Sequence, residues 1–480
     1  MTTTTSHLQR LPEELCCRIA HLLDAKDAGS LRLTCKRLYA AATESLFSFV
    51  RLLPNEESVA RYNDILASPS LNQLVKRVEL NTLDPDGPWV EEEGFGAELE
   101  DDVLEAFKSF PSFTRLTGVT VGFSPRVSSD QGITEWPQDI GFRQSILRGL
   151  FSALAQPSAS RINDVCFSNL QNWNDTSGNF MAFDDVVNVL GRLTALRLYI
   201  ATELSDPEGE YQRQREYQDA HPLSRGIYLS ELHSFMHQLP SAWLQPAAKN
   251  LTTLCLFQDF CFGFCPKLDL RGVHFPNLKT LAFGSYVFSH QWQLDWISSH
   301  SATLENLHLQ ECPVLHYMTF PGDAFSPDPE GYPDWRIFSN VGIAPRTSVY
   351  RANNLTWALI LNHFRDHLQA LRYFNSGISG PWTSNLTQGR RLHPLDNHVN
   401  GVYGRYDPGN FCYVGFEVTP APPHYTAGPQ ALRTGVTASG DYQKAKAFFD
   451  NMPQQRKVDR EALFKLRQRL GSLGPRDPVY

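Results

Sequence analysis

The strongest constraint on the fold of this 480-residue chain is a recurring apolar triplet, spaced leucine-x-x-leucine-x-leucine. Leu251-Thr-Thr-Leu254-Cys-Leu256 is followed by Leu278-Lys-Thr-Leu281-Ala-Phe283 and Leu304-Glu-Asn-Leu307-His-Leu309. The last two apolar positions of each triplet lie two residues apart, so in a strand they point to one face. The central leucines 254, 281 and 307 recur at intervals of 27 and 26 residues. Such an interval holds a strand and a return segment, such as Gln293 to Ser299 with Leu294, Trp296 and Ile297 at helical spacing. Looser copies come earlier, at Leu193/Leu196/Leu198, Ile162/Val165/Phe167, Leu116/Val119/Val121 and Val75/Val78/Leu80. Leu368/Leu371/Tyr373 is read as the last copy. Helical patterns over Asp102 to Phe110, Ser145 to Ala155 and Phe183 to Leu190 fill the intervals.

This pattern resembles the leucine-rich repeat, a strand-plus-return unit that stacks into a solenoid. The spacing here is irregular. The Asn or Cys usual after the third leucine position is mostly missing, although Cys312 lies close to it and Asn169 falls two residues past Phe167. An ordinary α/β domain whose strands carry the triplet stays open as an alternative. The resemblance implies an α/β solenoid over residues 51–375, with one continuous core and a long concave face suited to protein recognition. Segments near 81–99, 206–223 and 320–331 are expected as loops on its rim. Residues 376–480 read as a separate C-terminal extension, first rich in Pro, Gly, Asn and aromatics, then helical. Phe411 to Val418 alternates like a strand, and helices are expected over Asp441–Asn451 and Val458–Leu470. The last carries Arg460, Lys465, Arg467 and Arg469 on a solvated face and packs through Leu463, Leu466 and Leu470.

The first 50 residues obey another period. Pro12 suits the start of a helix, because its missing N–H has no partner there anyway. Glu13 and Glu14 then face the positive end of the helix dipole. Leu15, Ile19, Leu22 and Leu23 form an inward stripe, and Asp27 is the expected N-cap of a second helix carrying Leu31, Cys35 and Leu38. Leu33 sits off that stripe, where a surface contact would need it. A third helix is expected from Ala40 to Phe49, with Leu46 and Phe47 inward. Three short helices in about 40 residues sit at the lower limit for independent folding. The unit is therefore either half of an interface or a helical cap on the adjoining domain.

The order Leu11-Pro12-Glu13-Glu14-Leu15, Ile19, Leu22, Asp27, Leu31-Arg32 and Cys35-Lys36-Arg37-Leu38-Tyr39 resembles an F-box, over residues 6–50. In that family a three-helix unit binds the Skp adaptor of a cullin-RING ubiquitin ligase. The resemblance implies adaptor contacts at Leu11, Pro12, Leu15, Ile19 and Leu22 from the first helix. Leu31, Cys35, Arg37 and Leu38 would supply those of the second. Two departures stand out: Ala28-Gly29 replaces a bulkier pair, and Tyr39 takes a position where Trp or Phe is frequent. An F-box ahead of leucine-rich repeats is a known arrangement, and the overall character is similar to fungal F-box proteins.

Other chemistry finds little support. A net charge of −8 argues against non-specific nucleic-acid binding. No apolar run reaches membrane-spanning length, and no secretory leader is visible, so a cytoplasmic or nuclear location is expected. Cys255, Cys261, Cys265 and His274 supply zinc-type ligands but no Cys-x-x-Cys pair, so buried thiols are expected. His233 and His237 lie one helical turn apart, but Ser234 stands where a zinc protease needs Glu. The acidic run Glu91-Glu92-Glu93 to Asp102 reads as a solvated loop. No nucleophile elbow, phosphate loop or dinucleotide fingerprint appears. The expected function is therefore non-catalytic, with no cofactor. The chain would be a receptor joining a target protein to a Skp-type adaptor and a cullin-RING ligase, or a scaffold that binds the adaptor without a cullin.

Overall fold

The computed structural model describes residues 11–23, 25–83, 99–124, 138, 140–174, 177–202, 230–321, 328–336, 348–352, 354–377, 413–417, 424–427 and 440–471. Three helices open the chain: α1 (Glu13–Leu22), α2 (Ala25–Arg32) and α3 (Lys36–Phe47). One parallel sheet then takes up β1 (Phe49–Leu52), β2 (Arg77–Asn81), β3 (Gly118–Gly122), β4 (Asp164–Gln171), β5 (Ala195–Ala201), β6 (Thr253–Phe262), β7 (Thr280–Tyr286) and β8 (Asn306–Gln310). Its ninth strand, β11 (Tyr373–Gly377), pairs with β8. The order across the sheet is the order along the chain. Helices lie between successive strands except β6 and β7: α4 (Glu56–Ala67), α5 (Asp101–Lys108), α6 (Ile140–Ala155), α7 (Asp184–Arg192), α8 (Ser230–Leu239), α9 (Gln291–Ser298) and α10 (Trp357–His367).

The apolar triplets set the register. Val78, Val119, Val165, Leu196, Leu254, Leu281 and Leu307 are successive Cα partners across the sheet, and all are buried. The second row, Leu80, Val121, Phe167, Leu198, Leu256, Phe283 and Leu309, packs with them against the helices in one continuous core. Each rung also begins alike. The Ser48 carbonyl accepts from the N–H groups of Lys76 and Arg77; Lys76 accepts from Thr117 and Gly118; Thr117 accepts from Asn163 and Asp164. The same paired bond recurs at every later step, to Glu305 with Arg372 and Tyr373. Side chains continue the ladder at the strand exits: Asn169 Nδ2 donates to the Phe123 carbonyl, and the Cys312 thiol donates to that of Phe283.

The last rung differs from its expected register. Tyr373 pairs with Asn306 and Phe374 with Leu307, so the inward residues are Leu371 and Phe374. Tyr373 turns to the opposite face, where its ring lies tilted against His308 at 5.2 Å. Both frames keep the first two apolar positions of the triplet, and the backbone pairing chooses the later one, which ends on Ser376 opposite Leu309. The chain also enters the sheet earlier than expected, because Phe49–Leu52 forms β1 rather than the tail of α3.

The opposite sheet face is polar at one end and closed at its centre. Asp164 lies between Arg77 and Arg197 and accepts from both. Arg51 pairs with Glu79 at 3.3 Å. Cys166, Tyr199, Cys255, Phe257 and Ala282 form a separate buried cluster in the middle. At the strand starts Arg77, Asp164, Thr253, Thr280, Asn306 and Tyr373 keep at least partial exposure, as do Arg51 and Thr120 in the next row.

The part after residue 376 is joined to the rest. A second sheet, in the order β10-β9-β12-β13, contains β9 (Val314–Pro321), β10 (Ser348–Ala352), β12 (Tyr413–Glu417) and β13 (His424–Ala427). The expected strand at Phe411 to Val418 is thus present as β12, paired with β9. Helix α11 (Gly440–Asp450) leads into α12 (Met452–Arg469), which packs along α10. Asp459 accepts from the Ala358 N–H at the first turn of α10, and Arg469 donates to the Arg365 and Leu368 carbonyls at its last. The two helices therefore run the same way, with an acid at the N-terminal end of α10 and a cation at its C-terminal end, each complementing the helix dipole.

Candidate partner-binding site

The helical unit has a very small interior. Cys16, Ala20, Leu38 and Ala41 form its apolar cluster, with Leu11, Cys17, Leu31 and Cys35 half-buried around them, and Ala28, Ala42 and Ser45 are buried as well. Small side chains on α1 let α3 approach closely, and the Ser45 hydroxyl donates to the Ala20 carbonyl at 2.9 Å to fix the crossing. The start of α1 is tied by the Pro12 carbonyl, which accepts from Leu15 and Cys16 N–H, and by Arg37, which donates to the Leu11 carbonyl.

The inward stripe expected on α1 is rotated. Leu15 and Leu22 are each 45% exposed, Ile19 is half-buried, and the interior is supplied by Cys16 and Ala20. Asp27 is the third residue of α2, not its cap. The second helix ends at Arg32, so Leu31 and Leu38 sit on different helices and Cys35 is the N-cap residue of α3. Leu33, in the turn between them, is 86% exposed.

These differences divide the proposed contact residues. Pro12, Leu15, Leu22 and Arg37 are exposed, and Leu11, Ile19, Leu31 and Cys35 are partly so. Leu38 is only 3% exposed and belongs to the core, which corrects its reading as a contact. Leu33 joins the accessible set. Tyr39 is half-exposed, its hydroxyl accepting from Arg32 Nη2 at 2.9 Å while that guanidinium covers the ring at 4.7 Å. The same guanidinium holds the Tyr39 hydroxyl below its ordinary pKa.

The accessible leucines stand among exposed Glu13, Glu14, Arg18 and Lys36. Cys17, the half-buried thiol of α1, is pushed up by burial and by Glu44, the opposite of an activated thiolate. The arrangement offers a partner several leucine side chains on a unit whose own core cannot cover them, which is the chemistry of docking.

The remaining candidate constellations do not form sites. Cys255 is buried in β6, while Cys261 and Cys265 belong to a second apolar cluster with Phe264, Leu315, Val414 and Phe416. His274 is exposed, and burial drives the Cys265 thiol well up. His233 is buried and stacks on Trp335 at 4.8 Å, whereas His237 is exposed. Among the described residues no group of three or more His, Cys, Asp or Glu could hold a metal ion. No helix among them is long and apolar enough to cross a membrane. Residues 84–98, with most of the acidic run, and 203–229 lie outside the described residues.

No curated protein matches the chain. Residues 8–52 match the family model of F-box-like domains, a span that covers α1, α2, α3 and β1. The helical unit with the exposed Leu15, Leu22 and Leu33 is therefore an F-box-like domain, followed by a mixed α/β region built on a parallel sheet.

Proposed function

We propose that this protein is a substrate-recognition subunit of a Skp–cullin–F-box ubiquitin ligase. The observation that carries the reading is the F-box-like match over 8–52, on a unit that leaves leucine side chains uncovered. An F-box typically binds a Skp-type adaptor, and residues 6–50 are assigned that role. Residues 51–375 are read as a degenerate leucine-rich-repeat domain, which the chain-ordered parallel sheet and its repeated rung bonds support. The accessible row from Arg77 to Tyr373 is the surface assigned to the target protein. The protein supplies no reacting group. It acts by proximity, raising the effective concentration of target lysines near the ubiquitin-loaded enzyme.

Capture from cell extract tests this. The intact protein is expected to retain a Skp-type adaptor, and Leu15→Ser with Leu33→Ser to lose about tenfold or more in capture, since exposed interface leucines contribute binding without holding the fold. Unchanged circular dichroism separates lost contact from lost structure. Failure of the intact chain to capture the adaptor, where other F-box proteins do, refutes the proposal. Capture of adaptor without cullin points to the scaffold role instead.

A further inference from the structure

Helix α12 carries a basic flank. Counted at 100° per residue from buried Asp459, its side chains fall into two groups. Arg456, Lys457, Arg460, Phe464 and Arg467 project to one side of the face that packs on α10; Glu461, Lys465 and Arg469 lie on the other. Arg456, Lys457 and Arg460 are exposed and form no ion pair among the described residues. Phe464, between them and Arg467, is partly exposed.

This arrangement works against helix stability. Arg456 and Arg460 stand at i, i+4, where like charges repel, while Lys457 has Glu461 four residues on. Three such positions elsewhere hold a counter-charge: Arg61 with Glu57, Lys446 with Asp450, and Lys465 with Glu461 on the other side of this same helix. The flank is thus a basic strip on which Arg456, Lys457 and Arg460 form no ion pair among the described residues, in a protein of net charge −8. Its packing role is already met by Asp459, Ala462, Leu463 and Leu466, which are buried.

We infer that this flank docks an acidic peptide segment that carries an apolar residue. Two guanidinium forks one turn apart suit a pair of carboxylates, and Arg can hold each bidentately. Phe464 offers an apolar contact in the same stripe, which distinguishes a peptide from a bare polyanion. From Arg456 to Arg467 the flank spans about 16 Å, the length of four to five extended residues. The inference stands apart from adaptor binding, which uses the other end of the chain.

Fluorescence anisotropy with the full-length protein tests it. The probe is a labelled twelve-residue peptide rich in Glu with two leucines, and the control has Gln for every Glu. The Glu peptide is expected to bind, the Gln peptide to fail, and affinity to fall about tenfold between about 50 and 300 mM salt. R456E with R460E should abolish binding, and Phe464→Ala should weaken it severalfold, both with adaptor capture unchanged. Should the charge reversal misfold, R456Q with R460Q and the salt series on the natural chain give the same answer. Equal binding of the Gln peptide, equal binding by the charge variants, or tighter binding of a single-stranded oligonucleotide of matched charge overturns the inference.

Discussion

His300 is set to make this protein acid-sensitive. It is 2% exposed, at the turn after α9, and both ring nitrogens are committed. Nδ1 faces the Trp296 carbonyl at 3.0 Å and must carry the hydrogen; Nε2 accepts from the Phe275 N–H at 3.2 Å. A second proton would meet that N–H head on, so only the neutral ring fits. Burial, with His274 stacked at 4.7 Å, pushes its pKa from 6.5 to about 4. The unfolded chain therefore binds a proton that the folded chain refuses between those two values. Stability is full above the unfolded value and is lost as pH falls toward the folded one. Between pH 7 and pH 5 this group alone removes about 2 kcal/mol. His300→Gln keeps one donor for Trp296 and one acceptor for Phe275 but cannot titrate. Urea unfolding followed by circular dichroism at the two pH values should show the natural chain losing about 2 kcal/mol more than the variant. His316, also buried and pushed to about 4, titrates in both chains and cancels from that difference. Equal losses in the two chains refute the argument.

The packing sets three further outcomes. Asp459→Ala strands three donors, Ala358 N–H, Tyr413 hydroxyl and Gln455 Nε2, at about 1 to 3 kcal/mol for each fully buried one, and hydrogen exchange at the first turn of α10 should rise accordingly. Gly29→Ala should stabilise α2 by up to about 1 kcal/mol, because an added Cβ meets nothing within 4 Å; thermal melting checks it. Gly284→Ala should cost about 1 to 3 kcal/mol, because its Cβ would fall 2.1 Å from the Phe257 ring on the neighbouring strand; unchanged stability would contradict the β6–β7 register.

The sheet is largely legible in the sequence because strand alternation has period two and parallel pairing repeats it. Leu254, Leu281 and Leu307 can only line up one way without turning the polar neighbours Thr253, Thr280 and Asn306 inward. Where two frames keep an apolar row, as at Leu368/Leu371 and Leu371/Phe374, local pattern cannot choose. Four-residue β1 is too short to show alternation beside a long helix. The helical unit misleads for the opposite reason. Its interior is made of Cys16 and Ala20, small residues that carry little hydrophobic signal, while the conspicuous leucines face out. The clamp of α12 on α10 joins residues about a hundred positions apart, and neither Asp459 nor Arg469 announces its partner locally.

The junction at Ser48 bears on how force and orientation pass along the molecule. Helix α3 ends at Phe47, β1 begins at Phe49, and the Ser48 carbonyl is taken by Lys76 and Arg77 of the next rung. Lys76 also reaches Glu44 on α3 at 3.0 Å. The joint is thus bonded from both sides, to the sheet through the Ser48 carbonyl and to α3 through Glu44. A body that grips the helical unit also sets the bearing of the whole sheet, as a crank sets its shaft. Anything seated on that sheet would be carried at one height and one angle, and two extra residues at the joint would spoil that aim while leaving both surfaces intact.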